Sequence, residues 1–285
     1  MHADEADIDA ELVRRLVAAQ FPAWAGLPVE PVVSSGTDNA MFRLGDDLAV
    51  RLPRIAGAAG NVATEQRWVP RLAPHLPVAV PAPVAVGAPT GEYPYPWSVC
   101  HWLPGVNPTT ADTGLAHDLA AFVTALRRVD TAGAPRAGRG APLSTRDEPT
   151  RVAIAASRGL VDATAVTEVW VDALRVPPWD GPPAWAHADL SPGNLLVRDG
   201  RLTAVIDWGA AGVGDPTVDL IVAWNLLPAP ARRAFRDALG TDDDTWRRGR
   251  GWALSIAVIQ LPYYQHTNPV LAANARHVLD EILAD

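Results

Sequence analysis

The spacing of apolar residues changes along the chain, and the first hundred residues carry mostly short β-type runs. Residues 8–20 are an exception, because Ile8, Leu12, Leu16 and Val17 recur at helical spacing and predict a first helix. A second helix is predicted at about 61–72. The other runs are separated by Gly, Asp and Pro, and they predict strands at about 32–33, 41–44, 48–52, 84–87 and 97–102.

From about residue 113 the apolar period becomes helical. An amphipathic helix is marked by Leu115, Leu119, Phe122, Val123, Leu126 and Val129. Further helices are predicted at about 150–158, 163–174, 217–227, 230–239, 243–260 and 269–283, with Pro- and Gly-rich loops at 131–149 and 176–183. The pattern predicts an α+β protein with a small antiparallel-sheet N-lobe (1–104) and a larger, mostly helical C-lobe (105–285).

Composition and charge narrow the classes of partner. The 285 residues are 48% hydrophobic with a formal net charge of −8, which disfavours a nucleic-acid partner and suits a cationic small molecule. The chain has no Lys, so any role of a lysine falls to Arg. Its single cysteine excludes an internal disulfide and suits a reducing cytoplasm, where we expect the protein to act. No segment reads as a signal peptide or a membrane span, so no membrane association is expected.

Residues 187–209, HADLSPGNLLVRDGRLTAVIDWG, place acids among apolar runs. Two short strands are predicted around a hairpin turn at Asp199-Gly200. Such a hairpin brings Asp189 and Asn194, at its start, close to Asp207, at the end of the return strand. Oxygen ligands of this kind suit Mg²⁺ shared with phosphates, and the remaining Asp is free to act as a base. This combination is what phosphoryl transfer needs.

The same residues resemble known motifs. His187-Ala188-Asp189 followed by Asn194 resembles the H-x-D-x-x-x-x-N catalytic loop of protein-kinase-like enzymes, and Asp207-Trp208-Gly209 resembles their D-F-G. The longer stretch "HADLSPGNLLV…VIDWGAAGVGDPTVDL" is similar to the aminoglycoside phosphotransferase family, whose usual form is HGDLHPGN followed by IDW or IDF and GDP-x-x-DL. The order of elements agrees over nearly the whole chain, and blocks such as RLGDDL and VRLPR look like an actinobacterial-type branch. The resemblance implies a protein-kinase-like two-lobed fold.

The resemblance also implies roles for the motif residues. Asp189 would be the catalytic base that accepts the proton of a substrate hydroxyl. Asn194 and Asp207 would hold Mg²⁺ on the nucleotide phosphates. His187 would support the loop through hydrogen bonds.

The acids of the GDP-x-x-DL block, Asp215 and Asp219, are implied to have supporting structural roles, with a place near the substrate as an alternative for Asp215. Two positions depart from the family's usual form, because Ala188 replaces Gly and Ser191 replaces His. Neither departure removes a catalytic atom, so activity is still expected.

The first lobe is expected to hold the nucleotide. The stretch SSGTDNAMFRL lies between two predicted strands, and Ser35, Gly36 and Thr37 are candidates to bind phosphates together with the local backbone amides. Arg51 stands where the family has a strand lysine that grips the α- and β-phosphates, and a guanidinium can do this bidentately. Glu65, in the following predicted helix, is its predicted ion-pair partner.

The hinge between the lobes is predicted at 98–103, where adenine would bond to the backbone near Cys100 and Trp102. The combined hypothesis is a kinase that moves the γ-phosphoryl group of ATP or GTP to a hydroxyl of a small molecule. An aminoglycoside or another antibiotic-like compound is what the resemblance implies, and a monomer or weak dimer is expected. Two alternatives stay open: a metabolic kinase for a sugar or amino-alcohol, and a nucleotide-binding pseudoenzyme, which Arg51 and Ala188 motivate.

Overall fold

A computed structural model describes residues 6–33 and 38–285 of the chain. The candidate phosphate-binding residues Ser35, Gly36 and Thr37 lie outside the described residues. Helix α1 (Ala10–Gln20) begins at the N-cap Asp9, whose carboxylate accepts a hydrogen bond from the Leu12 amide at 2.7 Å. Its apolar face packs on the sheet that follows.

A five-stranded sheet follows α1, and its neighbouring strands are antiparallel. The strands are β1 (Val29–Pro31), β2 (Asn39–Leu44), β3 (Leu48–Pro53), β4 (Pro83–Gly87) and β5 (Trp97–His101), in the spatial order β1-β2-β3-β5-β4. Helix α2 (Ala56–Leu72) lies between β3 and β4 in the chain and begins earlier than predicted. The first strand also lies earlier than the predicted 32–33, although the Val32 amide still donates to the Met41 carbonyl at 2.9 Å.

The rest of the chain is mostly helical, which together with the antiparallel sheet confirms the predicted fold class. The helices are α3 (Thr113–Arg127), α4 (Asp147–Ala156), α5 (Ala163–Arg175), α6 (Val222–Asn225), α7 (Ala229–Leu239), α8 (Asp243–Tyr264) and α9 (Pro269–Ala284). The helix predicted at 217–227 is instead a 3₁₀ segment, Pro216–Ile221, that runs into α6. Helix α8 continues past the predicted end at Gln260 and includes Pro262 in its last turn.

Two small antiparallel pairs lie between α5 and α6. Strand β6 (Ala184–Ala186) pairs with β9 (Gly212–Gly214), and β7 (Leu195–Arg198) pairs with β8 (Arg201–Val205). The predicted hairpin turn is confirmed. Asp199 and Gly200 both have positive φ, at 52° and 74°, as a two-residue hairpin turn with right-handed strand twist requires.

The β7–β8 hairpin is flanked by two backbone segments, one between α2 and β4 and one just after β5. Val106 exchanges backbone hydrogen bonds of 3.0 and 2.9 Å with Val197 on β7. Ala79 donates to Thr203 at 3.0 Å and accepts from Val205 at 3.1 Å, both on β8. The crossing at Val106 requires the glycine before it, because Gly105 has φ +143° and a Cβ there would lie 2.9 Å from the Cβ of Leu196.

Buried apolar side chains form two clusters. One lies between α1 and the five-stranded sheet and includes Phe42 and Trp97. The larger one fills the helical part, with Trp170, Trp185 and Trp252 fully buried, and extends to one face of α2. Within residues 6–33 and 38–285, no helix combines the length and apolar character that a bilayer crossing requires.

Candidate active site

The β7–β8 hairpin brings two of the motif residues to the same end. Asn194 closes the 3₁₀ turn Pro192–Asn194 that leads into β7, and Asp207 follows β8. Ile206, between β8 and Asp207, is held from both sides. Its amide donates to the Asn194 carbonyl at 2.9 Å, and its carbonyl accepts from the His187 Nε2–H at 3.0 Å. The backbone therefore fixes Asp207 relative to both Asn194 and His187.

Asp219 holds the loop that carries Asp189. The two carboxylate oxygens of Asp219 accept hydrogen bonds from the amides of His187 and Ala188, at 2.9 and 2.7 Å. Asp219 is fully buried, and this burial raises its pKa against the opposing effect of the two amides. Ala188 has φ +65°, a left-handed conformation that costs an alanine about 1 kcal/mol, so the loop depends on these hydrogen bonds.

Asn194 contacts the candidate base directly. Its side-chain amide nitrogen donates to the Asp189 carbonyl at 2.8 Å and to the Asp189 carboxylate at 3.0 Å. Because the nitrogen is used in this way, the amide oxygen of Asn194 remains available as a ligand. The Asp207 side chain is 43% exposed and supplies carboxylate oxygens beside it.

This donor set fits Mg²⁺. Asn194 and Asp207 offer hard oxygen atoms, and Mg²⁺ commonly takes its other ligands from water and nucleotide phosphates. Among residues 6–33 and 38–285, no group of three or more His, Cys, Asp or Glu side chains is arranged to hold a metal alone.

Arg51 connects the sheet to the hairpin. The predicted ion pair with Glu65 is present, and Nη2 of Arg51 also donates to Asp207 at 2.6 Å. With its amide oxygen turned toward Arg51, Asn39 accepts from Nη2 and Nε at 3.0 and 3.2 Å. Burial works against the charged guanidinium, but the carboxylates of Glu65 and Asp207 outweigh it and raise the pKa of Arg51. Burial raises the pKa of Glu65, although the positive charge of Arg51 acts in the opposite direction.

A cavity of about 600 Å³ lies between the sheet and the helical part. The candidates for base, metal ligand and nucleotide contact that face it are Arg51, Glu65, Cys100, Trp102, Asp189, Asn194 and Asp207. The structure thus places side chains from β3, α2, β5 and the hairpin around one space. His187, Asp215 and Asp219 do not line it.

The two hinge candidates differ in what they can offer to a ligand. Cys100 is buried, and this burial raises its pKa to about 11, so the thiol stays neutral. The Trp102 amide already donates to the Asp47 carbonyl at 2.7 Å, so this group is not free for adenine. The Trp102 ring lies 5.0 Å from the guanidinium of Arg43.

Asp215 lies outside the cavity lining and bonds to the protein's own backbone. It is buried, and its Oδ1 accepts from the Thr217 amide at 2.9 Å, which caps the 3₁₀ segment. Its other oxygen lies 3.9 Å from Nε of Arg248.

Comparison with known proteins bears on this arrangement. The sequence profile of the phosphotransferase enzyme family matches residues 30–252, which include every site residue described above. The chain belongs to this family.

An aminoglycoside 3'-phosphotransferase of Escherichia coli is 33% identical over 106 residues, which are 32% of this chain and 39% of that relative. One from Salmonella typhimurium is 31% identical over 93 residues, 28% of this chain and 34% of the relative. The chain thus matches about two fifths or less of these relatives' lengths.

Solved structures resemble this chain over nearly their full length. The GDP complex of an aminoglycoside 2'-phosphotransferase has a TM-score of 0.73 at 20% identity, covering 97% of this chain and 99% of that one. A macrolide 2'-phosphotransferase from Brachybacterium faecium has a TM-score of 0.64 at 24% identity, covering 95% and 98%. At these identities the likeness shows the fold, which is therefore the kinase-like fold that these enzymes share.

The candidate site also contains Arg139, a charged residue that the sequence did not single out. Arg139 lies in the segment predicted only as a Gly- and Pro-rich loop. Its Nη1 donates to the Asp189 carboxylate at 2.7 Å and to the Ala188 carbonyl at 2.9 Å. An arginine between two glycines, in the stretch Gly138-Arg139-Gly140, was the available signal, but the stretch alone does not indicate which acid it meets.

Proposed function

We propose that this protein transfers the γ-phosphoryl group of ATP or GTP to a hydroxyl group of a small molecule, in the presence of Mg²⁺. The observation that carries the proposal is the convergence of Asp189, Asn194 and Asp207 with Arg51 on one cavity. These are the groups that phosphoryl transfer requires: a base, metal ligands and a cation for the phosphates.

Each residue then has a defined task. The Asp189 carboxylate orients the acceptor hydroxyl and takes its proton as the hydroxyl oxygen forms a bond to the γ-phosphorus. The bond from that phosphorus to the bridging oxygen breaks, and the nucleoside diphosphate leaves with the electron pair. Asn194 and Asp207 would hold Mg²⁺, which neutralises charge on the phosphate oxygens. Arg51 binds the phosphates and, through Glu65, stays attached to α2.

The acceptor is proposed to be an antibiotic-like compound. Support comes from the relatives and structural neighbours, which are named aminoglycoside and macrolide phosphotransferases, one of them in complex with GDP and kanamycin. We place the reaction in the cytoplasm, where ATP and GTP are available, and expect the protein to act as a monomer or weak dimer.

A pair of Asp→Asn variants tests the assignment. Asp189→Asn should lower kcat by about 10²- to 10⁴-fold, the usual contribution of a general base, while nucleotide affinity stays within about twofold. Asp199→Asn is the matched control, because Asp199 is exposed in the hairpin turn and Asn tolerates positive φ. Unchanged turnover in Asp189→Asn would refute the role of Asp189 as the base. A wild-type protein that binds nucleotide without hydrolysis or transfer would instead favour a pseudoenzyme.

A further inference from the structure

The wall of the cavity away from the sheet is built by three helices. Its residues come from α6, α8 and α9 and are Asn225, Ile256, Gln260, Tyr264, Val270, Leu271 and Asn274. The three from α8 are spaced four residues apart, so they lie along one helix face. This wall, named here the acceptor wall, combines apolar surface with neutral amides and one phenol, and none of its members carries a charge.

The parts of α8 and α9 that line the cavity contain no acidic residue. No Asp or Glu occurs between Asp244 and Asp280. Asp244 lies in the first turn of α8, about 18 Å along the helix from Ile256 at about 1.5 Å per residue. Asp280 lies in the last part of α9, outside the set that lines the cavity. A bound acceptor therefore meets amides and apolar groups along this wall.

Two amides of the acceptor wall connect through hydrogen bonds to the residue that follows the candidate base. The Asn274 side chain donates to the Asn225 side chain at 2.9 Å, and Asn225 donates to the Leu190 carbonyl at 3.4 Å. Leu190 follows Asp189 in the chain. An acceptor held against this wall would thus present a hydroxyl beside the Asp189 carboxylate.

The carboxylates that do line the cavity lie on its other sides, and three of them face an arginine. Glu65 and Asp207 are paired with Arg51, and Asp189 is paired with Arg139. Asp38 also lines the cavity and precedes β2 on the sheet side. Arg139 is therefore the positively charged neighbour of Asp189 in the cavity lining.

The backbone holds Arg139 in this position. The segment 135–140 runs beside β9, where the amides of Ala137 and Gly138 donate to Val213 and Ala210 at 3.1 and 2.9 Å. The Gly140 carbonyl accepts from Asp215 at 2.9 Å. Gly212 of β9 permits the approach, because a Cβ there would lie 2.4 Å from the Ala137 nitrogen.

We infer that the acceptor of this enzyme is an uncharged or singly charged polyhydroxylated compound with an apolar face, and that Arg139 disfavours polycations. This inference rests on the proposed function and narrows its acceptor. Several ammonium groups would have to leave water without carboxylates on the acceptor wall to receive them, beside the guanidinium of Arg139, which carries a like charge. A compound with apolar surface instead gains by covering Ile256, Tyr264 and Leu271.

The test compares three acceptors on the full-length protein with Mg²⁺ and ATP or GTP. Kanamycin is the polycation, fully N-acetylated kanamycin keeps its hydroxyls without the charges, and erythromycin offers a large apolar surface with one amine. Transfer is followed with labelled nucleotide, and binding of each compound is measured by calorimetry. We expect binding and kcat/KM for at least one of the two weakly charged probes to exceed those for kanamycin by tenfold or more.

Two substitutions should change this selectivity. Gln260→Glu keeps the side-chain shape and adds a carboxylate to the acceptor wall, so kanamycin binding should tighten by about tenfold relative to erythromycin. Gln265→Glu is its matched control, because Gln265 is exposed just after α8 and does not line the cavity. Arg139→Gln should move the same ratio toward kanamycin, even where kcat falls for every acceptor through the loss of the contact with Asp189.

The outcomes separate the inference from the proposed function. Transfer with kanamycin as the preferred acceptor would overturn the inference and leave the proposed function standing. Tighter binding of a weakly charged probe without any nucleotide hydrolysis or transfer would support the inference and overturn the function. Failure of both weakly charged probes to bind, or a selectivity ratio that neither Gln260→Glu nor Arg139→Gln changes, would overturn the inference.

Discussion

Replacing Arg51 by methionine separates its structural role from its functional one. The side chains of Arg51 and Glu65 are only 13% and 7% exposed, so Arg51→Met leaves a buried carboxylate without its cation. Breaking a buried pair from one side costs about 3–5 kcal/mol of unfolding free energy. Asp207 loses its contact too, but its side chain is 43% exposed and can be hydrated at little cost.

The double variant Arg51→Met, Glu65→Leu should behave differently. Replacing both members of a buried pair by apolar residues of similar size is often neutral or stabilising, so we expect an unfolding free energy within about 1 kcal/mol of the wild type. Nucleotide affinity should be lost in both variants, because neither retains the guanidinium that we propose binds the phosphates. Stability would then recover in the double variant while binding would not.

The loss of unfolding free energy in Arg51→Met should depend on pH. Burial raises the pKa of Glu65, and removing Arg51 removes the main opposing influence. The folded state then binds a proton that the unfolded state, with a Glu pKa of about 4.3, has already released. Stability therefore falls as pH rises through that window, by at most about 1.4 kcal/mol per pH unit. The double variant lacks the group and should not show this added slope.

Urea unfolding followed by tryptophan fluorescence at pH 5.5, 7 and 8.5 measures these effects, and calorimetry with Mg²⁺ and nucleotide measures the binding. A loss of less than about 1 kcal/mol in Arg51→Met, with no added pH slope, would contradict the buried pair. Retained nucleotide affinity in the double variant would contradict the phosphate-binding role of Arg51.

Three further substitutions test the framework around the site. Gly212→Ala should lower the unfolding free energy by about 1–3 kcal/mol and lower activity, because its Cβ would collide with the backbone of segment 135–140. Gly60→Ala is the control. A Cβ at Gly60 would have nothing within 4 Å, so this variant should be neutral or stabilising in the same urea assay. Asp219→Asn should lose one of two charge-assisted hydrogen bonds, about 2 kcal/mol, and lower kcat more than it changes nucleotide affinity. Asp242→Ala should cost about 1 kcal/mol at pH 7, because Asp242 caps α8. The Thr245 amide lowers the pKa of Asp242, so this difference should shrink as pH falls below about 4.

Specific results would contradict each of these expectations. Equal stability of the two glycine variants would mean that segment 135–140 moves aside without cost. Wild-type kcat in Asp219→Asn would mean that the catalytic loop does not depend on both amide contacts. A stability loss in Asp242→Ala that persists unchanged at pH 3 would exclude the carboxylate charge as its source.

The hairpin of the candidate site could be predicted from the sequence because its geometry is local. The Asp199-Gly200 pair specifies the turn. The pairing of the two short strands then brings Asn194 and Asp207 to the same end of the hairpin. The ion pair of Arg51 and Glu65 was also accessible, since a strand and the helix directly after it contribute its two members.

Other features depend on tertiary structure that no local pattern encodes. Arg139 contacts Asp189 only because segment 135–140 lies beside β9. Gly212 and Gly214 of β9, which come more than seventy residues later in the chain, permit this close approach. The early start of α2 was missed because its first turns are Ala and Gly with little periodic signal. The extension of α8 was missed because Pro262 suggests a stop, yet in the last turn a proline forfeits only one hydrogen bond.

The two backbone attachments of the hairpin have a mechanical consequence. Val106 pairs with β7 and Ala79 pairs with β8, so both outer edges of this two-stranded pair are hydrogen-bonded to other backbone segments. A strand whose outer edge is unpaired can slip in register or pair with another chain. Here the outside hydrogen bonds at Val197, Thr203 and Val205 oppose such a slip, so they help to keep Asn194 and Asp207 at the same end of the hairpin.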